Sequence, residues 1–133
     1  MIIRGSVDNL GRVCIRVEAP GNHSLILQID TGVNRKLVIN RHAIHRLGAG
    51  NIELDASVYS EVQLADLTKT QVLPAIVQLI WFGKLELIDT LVTTHVPSRP
   101  PGDKDPVGLI GTELLAGCKL TIDFPRRLVE IEL

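Results

Sequence analysis

Aromatic residues are scarce in this 133-residue chain, at 3% of the whole, although hydrophobic residues make up 45%. The apolar content is therefore mostly Ile, Val and Leu, a bias that suits strands better than helices. Cysteine is also rare: Cys14 and Cys118 stand alone. Two cysteines with no secretory signal fit reduced thiols, and without a C-x-x-C pair no structural zinc is expected. The charge is nearly balanced at −1, with no basic stripe or arginine cluster, so no nucleic-acid partner is expected. No apolar run is long enough to span a bilayer: the longest, residues 72–82, is broken by Pro74 and Gln78. The opening Met1-Ile2-Ile3-Arg4-Gly5 lacks the apolar core of a signal peptide. A cytoplasmic protein, with no membrane association, is the expectation.

The length fits one domain over residues 1–133. Val13, Ile15 and Val17 alternate with Cys14, Arg16 and Glu18, the period of a half-buried strand. The turn residues Asp8, Asn9 and Gly11 before it predict a hairpin of residues 2–7 and 12–19. After Pro20-Gly21-Asn22, residues 24–29 read as a strand buried on two sides. Residues 37–39 form a short strand, and Asn40 caps a helical turn through His45 that Gly48 closes. Residues 61–64 and 72–82 return to strand, joined by a polar connection, as one long hairpin. Gly83-Lys84 then turns into a strand over 85–92. Residues 96–106 hold four prolines and predict a surface loop. A strand over 107–110, a helical turn over 112–116 and a terminal hairpin of 120–124 with 128–133 complete a mainly β domain with one or two short helices.

Asp30-Thr31-Gly32 follows the apolar run Leu25-Ile26-Leu27-Gln28-Ile29. A carboxylate at the tip of a buried strand, followed by a hydroxyl and a glycine, has a specific chemical use. Peptide hydrolysis needs a nucleophilic water and a proton for the leaving nitrogen. Two carboxylates sharing one proton supply both, because like charges a few ångströms apart cannot both ionise. This turn offers one carboxylate, so the second must come from another copy. The turn also has an ordinary reading, since Asp and Gly are common turn residues. Asp89-Thr90 imitates the motif, but Leu91 stands where the glycine would be. His42 and His45 share a helix face without an evident third ligand, so no metal is assigned. His23 and His95 earn no role, and Trp81-Phe82 reads as core or interface packing.

The segments Leu27-Gln28-Ile29-Asp30-Thr31-Gly32, Leu37-Val38-Ile39 and Leu109-Ile110-Gly111-Thr112-Glu113-Leu114-Leu115, in this order, resemble the retropepsin-like aspartic proteases, including short bacterial single-domain members. The resemblance continues through Ala116-Gly117-Cys118-Lys119-Leu120-Thr121-Ile122-Asp123-Phe124. It implies a small closed β-barrel of the acid protease type that forms a symmetric homodimer. It implies that Asp30 is catalytic, one from each copy, and that Thr31 and Gly32 hold the loop. Leu109, Ile110 and Gly111 would support that loop from behind. A flap of Ala65, Asp66, Leu67, Thr68, Lys69 and Thr70 would cover a peptide or protein substrate. The implied activity is an aspartic endopeptidase that needs no cofactor. Retroviral members usually carry a small residue and then an acid after the tripeptide, and often an arginine after the later glycine. Here those positions are Val33, Asn34 and Thr112, and the flap lacks glycines. These departures support a second reading: an inactive dimer of the same fold, serving as a scaffold or peptide-binding module.

Overall fold

Period-two burial builds the barrel. In strand β2 (Val13–Ala19) the side chains of Ile15, Val17 and Ala19 are buried while Arg16 and Glu18 face solvent. The computed structural model describes residues 1–55, 57, 60–63, 69–97 and 99–133, with backbone alone at 60–63 and 69–70. β1 (Ile2–Val7) meets β2 through Ser6↔Cys14 and Val7↔Val13, the expected hairpin. Its turn is held by Asp8, whose Oδ1 accepts from the backbone N–H groups of Leu10 and Arg12, both at 2.9 Å. β3 (His23–Ile29) lies antiparallel to β2 from Ala19↔His23 to Cys14↔Gln28. Leu25, Leu27 and Ile29 are buried on its inner face; the other face is only half-covered, not fully buried as the apolar run suggests.

β4 (Leu37–Asn40) leads into a 3₁₀ helix, Arg41–Leu47, capped as expected by Asn40, whose Oδ1 accepts from His42 N at 2.9 Å. The helix runs past His45 to Leu47, because Ala43 and Leu47 reach the core. A short strand β5 (Ile52–Leu54) follows, too brief and polar to be seen in the sequence. β6 (Ser60–Gln63), β7 (Lys69–Phe82) and β8 (Leu85–His95) form the long hairpin, and its last two strands exceed the expected bounds. β9 (Gly108–Ile110), helix α1 (Thr112–Leu115), β10 (Lys119–Asp123) and β11 (Leu128–Glu132) complete the chain.

Six strands close on themselves in the order β2, β3, β9, β4, β8, β7, and the circuit is sealed by Glu18↔Trp81. The fold is thus the expected mainly β closed barrel. The pairs β3–β9 and β4–β8 are parallel and β4–β9 is antiparallel, so β9 is inserted between the consecutive strands β3 and β4. Ile15, Val17, Leu27, Leu37, Ile39, Val77, Ile80, Val107 and Ile110 fill the interior and are almost wholly buried. Outside the circuit, β1, β11 and β10 extend from β2 as a wing, while β5 and β6 both pair with β7.

The long hairpin changes face midway. In β7, Leu73, Ala75 and Val77 are buried, then Ile80 and Phe82. The register across it is unbroken, from Val77↔Thr90 to Leu79↔Ile88. Both strands therefore slip phase together at Gln78 and Asp89, and Asp89 takes φ 47° to do so. Buried Asn51 fills the gap. Its carbonyl accepts from Gln78 N at 2.8 Å, its Oδ1 accepts from Leu79 N at 3.0 Å, and its Nδ2 donates to Leu79 O and Leu47 O at 2.8 Å. The carboxamide behaves as one more peptide group in the ladder.

Candidate active site

Asp30 is placed by the strand that crosses behind it. The parallel pairing Gln28↔Leu109 and Ile29↔Ile110 ends with Asp30 N donating to Ile110 O at 3.0 Å. The chain then turns. Gly32 N donates to Asp30 Oδ1 at 2.9 Å and Val33 N to Asp30 O at 3.2 Å. Asp30 is half-buried, while Thr31 and Gly32 are exposed beside it. The backbone N–H on one carboxylate oxygen fixes the plane of the group. Thr31 is exposed at the surface.

The far side of the loop is fastened by Gly111 and Thr112. Gly111 N donates to Lys36 O at 3.0 Å and Thr112 N to Val33 O at 2.8 Å. A Cβ at Gly111 would overlap the Arg35 carbonyl oxygen and come within 2.6 Å of that of Val33, so the close approach demands glycine. The Thr112 hydroxyl lies 3.2 Å from both Val33 O and Asn34 Oδ1. Thr112 and Asn34, at the positions where retroviral members carry an arginine and an acid, thus meet as an uncharged hydroxyl–carboxamide pair. Sequence reasoning missed this link, because only the fold brings Asn34 to Thr112.

The structure joins Asp30 to Gly32 and Ile110 by hydrogen bonds, and Gly111 to the end of the same loop at Lys36. Leu109 pairs with Gln28 and lines a cleft of about 400 Å³ whose wall includes none of Asp30, Thr31 and Gly32. Gln28, Asn40, His95 and Arg99 also line it, and the proline loop covers it. That loop, at the surface as expected, is moored by Arg12, which bonds Asp105 Oδ1 at 3.0 Å and Asp8 Oδ2 at 2.6 Å. Gly102 N and the Arg12 guanidinium hold the Asp105 carboxyl below its ordinary range. Sequence reasoning assigned no role to the cleft or to His95. A polar Gln28 two positions before Asp30, within an apolar strand, was the available signal.

Of the expected flap, Ala65, Asp66, Leu67 and Thr68 lie outside the described residues. Lys69 and Thr70 open β7 and pair with Gln63 and Val62, so the two arms of a hairpin are in place. Asp89, the decoy, is exposed within β8 at the phase change. Phe82 is buried in the core, and Trp81 seals the barrel opposite Glu18. His42 and His45 lie on the 3₁₀ helix, and no cluster able to hold a metal occurs among the described residues. No helix among those residues is long and apolar enough to cross a membrane.

No protein-family model matches the chain, and no curated protein matches it in sequence. Among solved structures, a retropepsin-like aspartic protease from Rickettsia conorii has a similar fold. It superposes with a TM-score of 0.59 over 99% of this chain and 90% of that one, at 17% identity.

Proposed function

We propose that the chain is an aspartic endopeptidase that works as a symmetric homodimer, with Asp30 of each copy forming the catalytic pair. One observation carries this reading. A half-buried carboxylate stands at the tip of β3, clamped through Ile110 and Gly32, on a loop whose hydroxyl and glycine face outward. Such a group is held rigidly yet left open toward a second molecule, which is what a shared dyad requires. The likeness of the fold to an aspartic protease supports the same reading.

In the dimer, a water bridges the two Asp30 carboxyls, one ionised and one protonated. The ionised carboxylate takes a proton as the water oxygen attacks the scissile carbonyl, and the protonated carboxyl donates to the developing oxyanion. The tetrahedral intermediate collapses when the nitrogen takes a proton, and the pair regains its single shared proton. The two apparent pKa values belong to the pair. A substrate bound as an extended strand would pair with the β6–β7 hairpin, and the cleft beside Gln28 and Leu109 would take a side chain next to the cut.

The Thr112–Asn34 contact bears on the alternative of an inactive scaffold. The acid and the arginine of retroviral members are missing, yet a hydrogen bond between Thr112 and Asn34 joins the two segments that would carry them. Asp30→Asn decides between the readings. In an assay of peptide cleavage under mildly acidic conditions, the variant should lose at least about a hundredfold in rate while remaining a dimer. Absence of cleavage by both native protein and variant would leave the scaffold reading.

A further inference from the structure

We infer that the cleft beneath the proline loop is a recognition pocket for a carboxylate side chain, Asp or Glu, of the bound peptide, and that Arg99, Asn40 and His95 set this preference. The inference rests on the peptide-binding part of the function proposed above and adds the class of side chain that is selected.

Some polar groups of the wall satisfy one another, and the rest have no partner. Arg12 bonds Asp105 Oδ1 at 3.0 Å, and Gly102 N donates to Asp105 Oδ2 at 2.9 Å, so that carboxylate is fully occupied. Asp8 also holds Arg12 but is not part of the wall. Asn40 is only 6% exposed, yet it lines the cleft. Its Oδ1 accepts from His42 N, while its Nδ2 has no partner among the described residues. An amide N–H left unpaired in a buried side chain is costly, so it marks a place for an acceptor. His95 is its neighbour in the β4–β8 register, with Nδ1 buried and unpartnered among the described residues. Gln28 and Arg99 also line the cleft, and neither side chain has a partner among those residues.

The unmatched groups are donors, and the unmatched charge is positive. Asn40 Nδ2 and the Arg99 guanidinium can only donate. Gln28 donates through its amide, and His95 through Nδ1 once that nitrogen carries a proton. Within the wall Arg12 and Asp105 cancel, which leaves Arg99. Arg41, close enough to act on His95, adds a second cation nearby. A group that offers only acceptors and a negative charge answers all of these, and a carboxylate is such a group. A basic side chain would leave the donors unpaired and would face Arg99. Leu109 and Pro106 supply apolar contact for the methylene stem.

The cleft also lies where an extended peptide reaches it. Its wall does not include the Asp30 loop, so it stands beside the reacting centre. Gln28 precedes Asp30 by two positions, and the ladder with β9 continues to Asp30 N. Alternate residues of a strand share one side, about 7 Å apart. Gln28 and Asp30 therefore face the same side, separated by one side-chain repeat of a bound strand.

Peptide libraries read the preference. Short end-capped peptides are incubated with native protein and with Asp30→Asn, and the cleaved and the retained peptides are sequenced by mass spectrometry. Asp and Glu should be enriched about tenfold over Asn and Gln at one fixed position. Arg99→Glu should abolish that enrichment and favour Lys or Arg at the same position, with the other positions unchanged. Arg99 is exposed, so the substitution leaves the core untouched, and a reversal confined to one position is not an effect of altered folding. Gln28→Leu should shift the same position toward apolar side chains. A chain end also carries a carboxylate, so a second library with free C-termini is run in parallel. Selection that follows the free C-terminus instead of a side chain overturns the inference, as does an acidic preference that Arg99→Glu leaves in place. If native protein cleaves with no acidic preference, the pocket assignment falls and the protease reading stands. If peptides are retained with an acidic preference that Arg99→Glu reverses, yet none is cut, the pocket stands and the protease reading falls. If none is retained or cut, both fall.

Discussion

His95 ends β8 with a half-buried imidazole, and its buried Nδ1 has no hydrogen-bond partner among the described residues. Burial holds its pKa below the ordinary value; a hydrogen bond to the Ile39 carbonyl opposes the shift, and nearby Arg41 adds to it. As pH falls below about 6.5 the unfolded chain therefore takes up a proton that the folded chain refuses. Stability must fall over that interval, and the loss should stop once the folded imidazole also protonates. We predict that the thermal midpoint of the native protein drops between about pH 7 and about pH 5 more steeply than that of His95→Gln. Equal slopes would refute this role. His95 was not readable in the sequence, because its burial depends on the proline loop and on β4. Asp30 was readable, because its tripeptide carries the acid, the hydroxyl and the turn in consecutive positions. Thr112 was in plain view, but its partner Asn34 lies too far back in the chain for any local pattern to join them.

Among the elements, the long hairpin of β7 and β8 shows where alternation stops being a guide. Its apolar positions switch face at Gln78 and Asp89, so a single period-two pattern describes each half and neither whole strand. The switch depends on Asn51, which supplies hydrogen bonds that no strand offers there. Asn51→Ala would leave Leu79 N–H and C=O unpaired inside the protein. We expect it to cost about 2–4 kcal/mol, measured by urea unfolding. A loss within about 0.5 kcal/mol would mean that water replaces the carboxamide. The elements that were readable share one trait: β1, β2, β3 and the β10–β11 hairpin are bounded by turn residues and keep one phase throughout. β5 was invisible, since three residues carry no period. The start of β7 at Lys69 was read as flap, because polar strand residues in a hairpin arm look like a loop.

The proposed assembly rests, in the sequence, on arithmetic: one carboxylate per chain for a reaction that uses two. Nothing in a single copy's core requires a partner, since the six-stranded circuit closes by itself. What the barrel leaves unfinished is the wing, whose apolar face thins out at β10. If folding and pairing are linked, concentration must act on stability by mass action. For two chains of this length unfolding together, each tenfold rise in concentration should lift the thermal midpoint by about 2–3 °C. The same linkage governs the chemistry. Below the dimer dissociation constant, activity should fall with the square of the concentration, because in the proposed mechanism each productive site takes an Asp30 from two copies. Asp30→Asn should remove cleavage and leave the thermal dependence in place. A midpoint independent of concentration, in a protein whose activity stays strictly linear with dilution, would show that one copy acts alone, and a single Asp30 cannot make the dyad.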